Sequence, residues 1–595
     1  MLFRDLTALY ERLEATTKRL EMRAILVELL GAVEAAELPE VLYLSQGSLR
    51  PEYEAVELGV ADSLAGRALA AASGLPPAEV TAAKNRSGDL GTTAQALLEA
   101  RTTPLGEPLR VADVYAGLLA IARAQGEGSQ EAKIAALAAL LGRATPAEGK
   151  FLIRFAIGTL RLGVRELTIL DALAQKYGGG TKDGRLRIEA AFNVSSDLGL
   201  VASALARGGL DALAEIQLEV GRPIRAMLAE REVSLAAILE RMDGKAAFEY
   251  KYDGLRVQAH IPVDGPAELF SRRLEKLSHQ FPELVAELPS AIRDRPAIVE
   301  GECVPVDPET GEIRPFQDVS RRRGRKYDLE RMQAEVPVNL VLFDVLLAGG
   351  APTIDRPFPE RRERLGTLVA PTERIRLATQ RLVTTVEDGQ AFFDESIAAG
   401  CEGIVAKSVA EGSQYRAGAR GFWWIKFKRD YTQGLADTVD GVIVGAFHGR
   451  GRRGGKFGAL LLATYNPEGD RFETFCKVGS GFDDATLDVI PERLRGLTTA
   501  DRPAGIITEV EPDLWVVPKL VMEVEGAELT LSPNHRAGFG AVRAGAGLAL
   551  RFPRFTGRWR DDKDPTGATT SAELVEMYNL QVRRGAPADE PDAAA

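Results

Sequence analysis

The hydrophobic pattern of this chain changes period once, near GRPIRAMLAE (221–230), and that change limits what it can fold into. Before it, Ala and Leu recur at three- and four-residue spacing, as in EAKIAALAALLGR and RELTILDALAQKYG, and strand patterns are scarce. Such spacing gathers apolar side chains on one face of a helix, so residues 1–218 read as an all-α domain. Turn-forming residues interrupt the helices at KNRSGDLG (84–91) and GGGTKDGR (178–185). Past the change come short β-rich runs: AAFEYKYDG, LRVQAHI, AIVEGECVPV, VNLVLFDVLL, GIVAKS and GFWWIKFKRD. Helical stretches such as FPERRERLGTLV separate some of them, which predicts an α+β domain over 219–434. From DTVDGVIVGAFHG onward, short alternating strands and Gly-rich turns predict a small antiparallel β-barrel over 435–582. The last residues, RRGAPADEPDAAA (583–595), predict a disordered tail. A length of 595 residues agrees with this multidomain division, because one domain usually takes roughly 100–200.

Composition removes several function classes. No apolar run approaches the roughly 18 residues of a membrane span, and the N-terminus lacks the apolar stretch of a signal peptide. The three cysteines (Cys303, Cys401, Cys476) form no CxxC pair, which excludes a zinc ribbon and points to a reducing cytoplasm. The four histidines show no ligand spacing, and His260 and His448 read as structural. A net charge of −11 argues against a nucleic-acid partner only on average. Basic residues cluster at RRRGRK (321–326), GRGRRGGK (449–456) and RFPRFTGRWR (551–560), so a basic groove on an acidic protein remains open. GRGRRGGK fails the phosphate-loop pattern, since Arg450 and Phe457 stand where Gly and Ser or Thr are required, and reads as a turn between barrel strands.

Taken alone, EYKYDGLR (249–256) describes an exposed strand-end lysine before a turn as well as it describes a nucleophile. Other runs change that balance. The two-residue strand period puts Glu300 and Glu302 on one face of AIVEGECVPV. It also puts Trp424, Lys426 and Lys428 on one face of GFWWIKFKRD, with Ile425 and Phe427 opposite. Glu402 and Lys407 bracket a further strand, and Asp344 interrupts an apolar run where a carboxylate needs a partner. One nucleophilic lysine, several carboxylates for a divalent metal and further lysines for phosphates are the components of nucleotidyl transfer. A lysine nucleophile must shed its proton, and Lys426, Lys428 and a bound metal are expected to lower its pKa from about 10.4.

The order KYDG, SRR, EGE, FD, EGIVAK, WIKFK and RFPRF…RWRDDK resembles the nucleotidyltransferase motifs of ATP-dependent DNA ligases, over about 221–580. Upstream, KNRSGDLG and FLIRFAIGTLRLGVRELTILDALA are similar to the helical DNA-binding domain of the archaeal-type and larger eukaryotic members. The resemblance implies a helical DNA-binding domain, a nucleotidyltransferase (adenylation) domain and a C-terminal OB-fold barrel. It implies ATP and Mg2+ as cofactors, with Mn2+ able to substitute. Lys251 would carry AMP, Glu249 and its backbone would meet the adenine, and Phe343 would stack on it. Arg256 would touch nucleotide and DNA phosphate, Arg272 the ribose or the 5′-phosphate at the nick, and Arg420 would join the nucleotide-binding set. Glu402 would be the main metal ligand, and Glu302 would meet the ribose and the metal site. Lys426 and Lys428 would hold the α-phosphate, with Trp424 supporting their strand. Arg560 and Lys563 of RWRDDK would orient the pyrophosphate leaving group.

The same resemblance implies nicked duplex DNA as substrate, gripped by Arg154 and Arg161, with Arg322 of RRRGRK on the DNA-facing side. It implies a cytoplasmic, nucleoid-associated monomer serving replication, repair or recombination, with a sliding-clamp partner left open. Two positions depart from the family pattern: Glu300 replaces the usual Asp of DGE, and Leu255 stands where an acidic residue is common. Rival readings are an mRNA capping enzyme or RNA ligase, which would lack the long helical region, and a non-catalytic DNA-binding protein. An NAD-dependent ligase would bring a cysteine-rich zinc module that this chain lacks.

Overall fold

Among the described residues, twelve α-helices run from Phe3–Glu14 to Leu198–Gly208, and the first strand begins only at Leu228. A computed structural model describes residues 1–585 except 102–105, 161, 308–310, 315, 321, 323–328, 429–437, 450–455 and 527. The helices share one apolar core whose buried members run from Phe3 to Leu213. The loop expected at 84–91 shrinks to two residues. Helix Pro77–Ser87 closes on Gly88 in the left-handed region, and Asp89 at once caps helix Leu90–Glu99 by accepting from the Thr92 amide. GGGTKDGR narrows likewise, because Thr181 caps a helix that already starts at Lys182.

Arg154 does not face outward as a DNA contact would. Its guanidinium is buried, donating to Asp89 from Nε and Nη2 (3.1 and 2.8 Å) and to Glu14 from Nη1 (2.5 Å). A Cβ on Gly91 would lie 2.6 Å from Arg154 Cγ and 2.9 Å from the Lys150 carbonyl, which accounts for the glycine of GDLG. The two helical motifs are thus halves of one structural clasp. Arg161 lies outside the described residues.

The α+β region holds two mainly antiparallel sheets. One runs Leu228–Arg231, Arg420–Lys428, Gly403–Ser408, Ala246–Lys251, Gln380–Val383. The other runs Glu268–Ser271, Leu255–Ile261, Ala297–Pro305, Val338–Ala348, Ala351–Pro352, with Ile375–Leu377 beside its long strand. The chain crosses from the first sheet to the second within Tyr252–Gly254, immediately after Lys251. Gly254 permits this, since a Cβ there would sit 2.5 Å from the Cys303 carbonyl and 2.9 Å from Glu302 Cγ. Asp344 finds its partner in Arg361 of helix Phe358–Leu368, with Nε–Oδ1 2.8 Å and both side chains fully buried. Arg322 is buried as well, on Glu283 (2.6 Å) and the Gln280 carbonyl (2.7 Å), and so is not a DNA contact; 321 and 323–328 lie outside the described residues.

The last region is strand-rich with curled sheets, and all its strand pairings are internal. Strand Val439–His448 bends at a bulge and changes partner, pairing with Val521–Glu525 at one end and Leu514–Val516 at the other. Its C-terminal helix runs Ser571–Gly585, so 583–585 continue that helix instead of opening a disordered tail; its earlier turns pack Leu574, Val575 and Tyr578 into the core. Among the described residues no helix is long and apolar enough to cross a membrane.

Removing one partner of a buried ion pair leaves an uncompensated charge, at a cost of about 3–5 kcal/mol. Arg361→Leu should therefore lower the unfolding midpoint of the α+β region in a denaturant titration, and Asp344→Leu added to it should recover most of the loss. A single variant as stable as the parent would show that the pair does not hold the second sheet.

Candidate active site

Strand register assembles the centre of the site. Gly403 pairs with both Lys251 and Lys428, and the Glu402 amide donates to the Lys251 carbonyl at 2.9 Å. Glu402 therefore lies between two lysines contributed by its neighbouring strands. Its Oε2 makes ion pairs with Lys251 Nζ and, at 2.7 Å, with Lys428 Nζ. Across the sheet-to-sheet turn, Glu302 pairs in register with Arg256 and brings a second carboxylate toward Lys251.

Lys251, Lys428 and Glu302 line a cleft of ≈ 280 Å3 with Glu249, Arg256, Arg272, Phe343, Lys407, Arg420, Trp424 and Lys426, and Glu402 stands behind that lining, paired with two of its lysines. All its lining residues fall within 228–428, and Arg560 and Lys563 are not among them. Arg272, Arg420 and Lys426 have no ion-pair partner among the described residues, so the cleft presents uncompensated positive charge. Burial, then Lys251 and Lys428, push the Lys426 amine below its ordinary value. An anion is the natural occupant of such a cleft.

The expected depression of the Lys251 pKa is not what the unliganded site produces. Burial acts in that direction, but the carboxylates of Glu402, Glu302 and Asp253 outweigh it and hold the ammonium above its ordinary value. The carboxylates are crowded in turn. Burial and Glu402 push Asp253 up to about 6, and burial pushes Glu302 up to about 7 despite Lys251 and Arg256. Lys251 and Lys428 keep Glu402 below the usual carboxylate value although burial opposes them. Near neutral pH Glu302 and Asp253 thus retain part of their protons, and Glu402 is the carboxylate held charged against the two lysines. Among the described residues no three acidic or metal-ligating side chains converge closely enough to hold an ion unaided.

Arg256 lines the cleft, but its guanidinium is committed elsewhere: Nη1 donates to the Met227 carbonyl (2.8 Å) and Nη2 to Glu300 (2.7 Å). Glu300 also accepts from the Tyr415 hydroxyl at 2.8 Å, so the longer side chain at the DGE position serves a buried polar network. Leu255 packs into the core of the second sheet. His260 is buried, bonded to the Gly221 amide and to Gln258, and His448 stacks on Phe457.

Lys407 belongs to the site more closely than its place at the end of GIVAKS suggested. Its Nζ lies 2.6 Å from Glu249 Oε2 and donates to the Phe343 carbonyl at 3.1 Å. Rings of Phe343, Phe358 and Trp424 stand 4.8, 4.6 and 4.4 Å from it. The strand period put Lys407 on the Val405 face, which is the cleft face, so a signal existed. Gln380, which donates to Glu249 Oε1 at 3.0 Å, and Tyr415 carried none, because both act from segments without a chemical motif.

The whole chain matches known proteins in the same order as its domains. The family model described as DNA ligase N terminus matches residues 2–174, ATP dependent DNA ligase domain matches 226–428, and ATP dependent DNA ligase C terminal region matches 453–563. DNA ligase 2 of Thermofilum pendens is 48% identical over 582 residues, covering 96% of each chain. A DNA ligase of Thermoplasma volcanium is 42% identical over 583 residues, covering 98% of each. The solved structure named Pmar-Lig_Pre shares the fold at a TM-score of 0.54 and 18% identity, over 93% of this chain and 99% of that one. The helical region matched by the N-terminus model is what a capping enzyme or RNA ligase reading left without an account. With the lysine, the carboxylates and the cation-lined cleft all inside the part matched by the ATP dependent DNA ligase domain, this chain belongs to the ATP-dependent DNA ligase family.

Proposed function

We propose that Lys251 is the nucleophile of this ligase, and that the residues around Glu402 serve to free its amine and to place the phosphates. The reaction of the family is the sealing of nicks in duplex DNA at the expense of ATP. The observation that carries the assignment is the shared oxygen: Lys251 and Lys428, which line a cleft whose other cations include some without an ion-pair partner among the described residues, both pair with Glu402 Oε2.

In the first step the Lys251 amine attacks the α-phosphorus of ATP, an N–P bond forms, and pyrophosphate leaves with the electrons of the broken P–O bond. In the second, a 5′-phosphate oxygen at the nick displaces the lysine and takes AMP. In the third, the 3′-hydroxyl attacks that activated phosphate, the strand closes and AMP departs. Lys426 and Lys428 neutralise the α-phosphate, Arg272 and Arg420 the flanking phosphates, and Phe343 with Glu249 receives the base.

The donor set fits a divalent metal. Glu402 and Glu302 are hard oxygen ligands, and nucleotide phosphates would complete a shell the protein alone does not close. Glu402 and Glu302 would hold Mg2+, or Mn2+ in its place, and the ion would supply charge neutralisation at the phosphates. Lys251 itself must give up the proton that its pairing with Glu402 helps to hold. Each pKa unit by which it falls is worth about 1.4 kcal/mol of differential interaction, so altered partners alone can shift its protonation.

Arg560 and Lys563 are proposed to meet the pyrophosphate, which requires the C-terminal region to move over the cleft, since the cleft is lined only from 228–428. A monomer suffices, because one chain carries all three regions. The DNA contacts are proposed to be mainly with phosphates, and so to weaken with salt and to depend little on sequence.

Lys251→Ala should lose labelled covalent AMP after incubation with [α-32P]ATP and denaturing electrophoresis, while still binding nicked duplex; retained label would remove Lys251 from the reaction. Arg560→Ala should slow self-adenylation by roughly 100-fold, as loss of a transition-state charge contact does, yet slow sealing of a pre-adenylylated nick far less. Equal losses in the two assays would argue against a moving domain.

A further inference from the structure

We infer that Asp440 is a positioning residue for the first chemical step, holding Arg560 and Lys563 together as a two-pronged cation for the pyrophosphate leaving group. The inference rests on the assignment of Arg560 and Lys563 proposed above. Both cations converge on a single carboxylate oxygen: Arg560 Nη1 and Lys563 Nζ donate to Asp440 Oδ2 at 2.6 and 2.7 Å. Two positive groups sharing one oxygen stand closer together than their repulsion would leave them without it. Pyrophosphate presents charged oxygens on two adjacent phosphorus atoms, and a pair of fixed cations matches that spacing better than either cation alone.

Three further observations separate this role from ordinary support of the fold. The other oxygen, Asp440 Oδ1, is buried and has no hydrogen-bond partner among the described residues. A carboxylate kept for packing would be expected to satisfy both oxygens, because an unmet buried acceptor is unfavourable. The backbone of Asp440, in contrast, is firmly tied. Its amide donates to Thr569 Oγ1 (3.0 Å), its carbonyl accepts from the Thr569 amide (3.1 Å), and it pairs in register with Glu523. The side chain therefore projects from a fixed point. Finally, of the other carboxylates on Arg560, Glu523 stands off at 3.9 Å, and Asp562, which accepts its hydrogen bonds, is more than half exposed and lies two residues away, so an incoming phosphate can replace it without disturbing the strand. Asp440 is 9% exposed and cannot be displaced in that way.

The test compares Asp440→Asn, Asp440→Ala and Arg560→Ala with the parent, all as full-length chains. Three rates are measured: self-adenylation with ATP, release of ATP from the adenylylated enzyme by added pyrophosphate, and sealing of a pre-adenylylated nick. Sealing doubles as the check that each variant is folded. Misplacing a charge contact by an ångström or so costs up to about 100-fold, so self-adenylation of Asp440→Asn should fall by roughly 10- to 100-fold while sealing stays within about threefold. The KM for pyrophosphate in the reverse reaction should rise with it, a change that a purely structural role would not single out. Equal loss in adenylation and sealing would overturn the inference. So would self-adenylation within about threefold of the parent while Arg560→Ala remains selectively slow, and in that case the assignment of Arg560 survives. If Arg560→Ala itself shows no selectivity between the steps, the assignment of Arg560 fails and the role of Asp440 with it.

Discussion

The charge balance around Glu402 governs the site. One carboxylate oxygen answers to two lysines, and two further carboxylates, Asp253 and Glu302, press on the same space. Without a nucleotide the balance favours protonated Lys251, because the carboxylates outweigh burial. In the role proposed for it, the amine of Lys251 has to lose the hold of these carboxylates before it can attack.

A second layer of buried charge holds the first in place. Lys407 fixes Glu249 and the Phe343 backbone, the Glu300–Tyr415 pair fixes Arg256, and Arg361 fixes Asp344 within the strand that carries Phe343. Each pair bridges two strands, a strand and a loop, or a strand and a helix, so the cleft walls are set relative to one another by charge as well as by packing. Buried pairs of this kind contribute little net stability against an apolar alternative, but they tolerate no half-measures. The helical domain uses the same device where Arg154 joins Asp89 and Glu14.

Period-based reading located the strands, the domain order and the face that Trp424, Lys426 and Lys428 share, because these follow from local geometry. Lys251 and Glu402 were singled out together by the family resemblance of KYDG and EGIVAK, because only the pairing of two strands distant in sequence sets them side by side. What was not legible depends on contacts distant in sequence. Arg154 and Arg322 read as DNA contacts until their carboxylate partners, 65 and 39 residues away, came into view. The protonation of Lys251 was misjudged because the neighbouring cations were weighed without the carboxylates that oppose them, Glu402 first, then Glu302 from the other sheet. Asp440 carries no motif at all and is found only through the two side chains that meet on it.

The central claim is that the amine of Lys251, and no other, becomes joined to AMP. Peptide mapping by mass spectrometry after incubation with ATP and Mg2+ tests it most directly, using fragmentation that preserves the acid-labile N–P bond. The account predicts a single AMP adduct on the peptide containing Lys251, removed on adding nicked DNA. An adduct on Lys426, Lys428 or Lys407 instead, or a sealing-competent enzyme with no adduct, would contradict it.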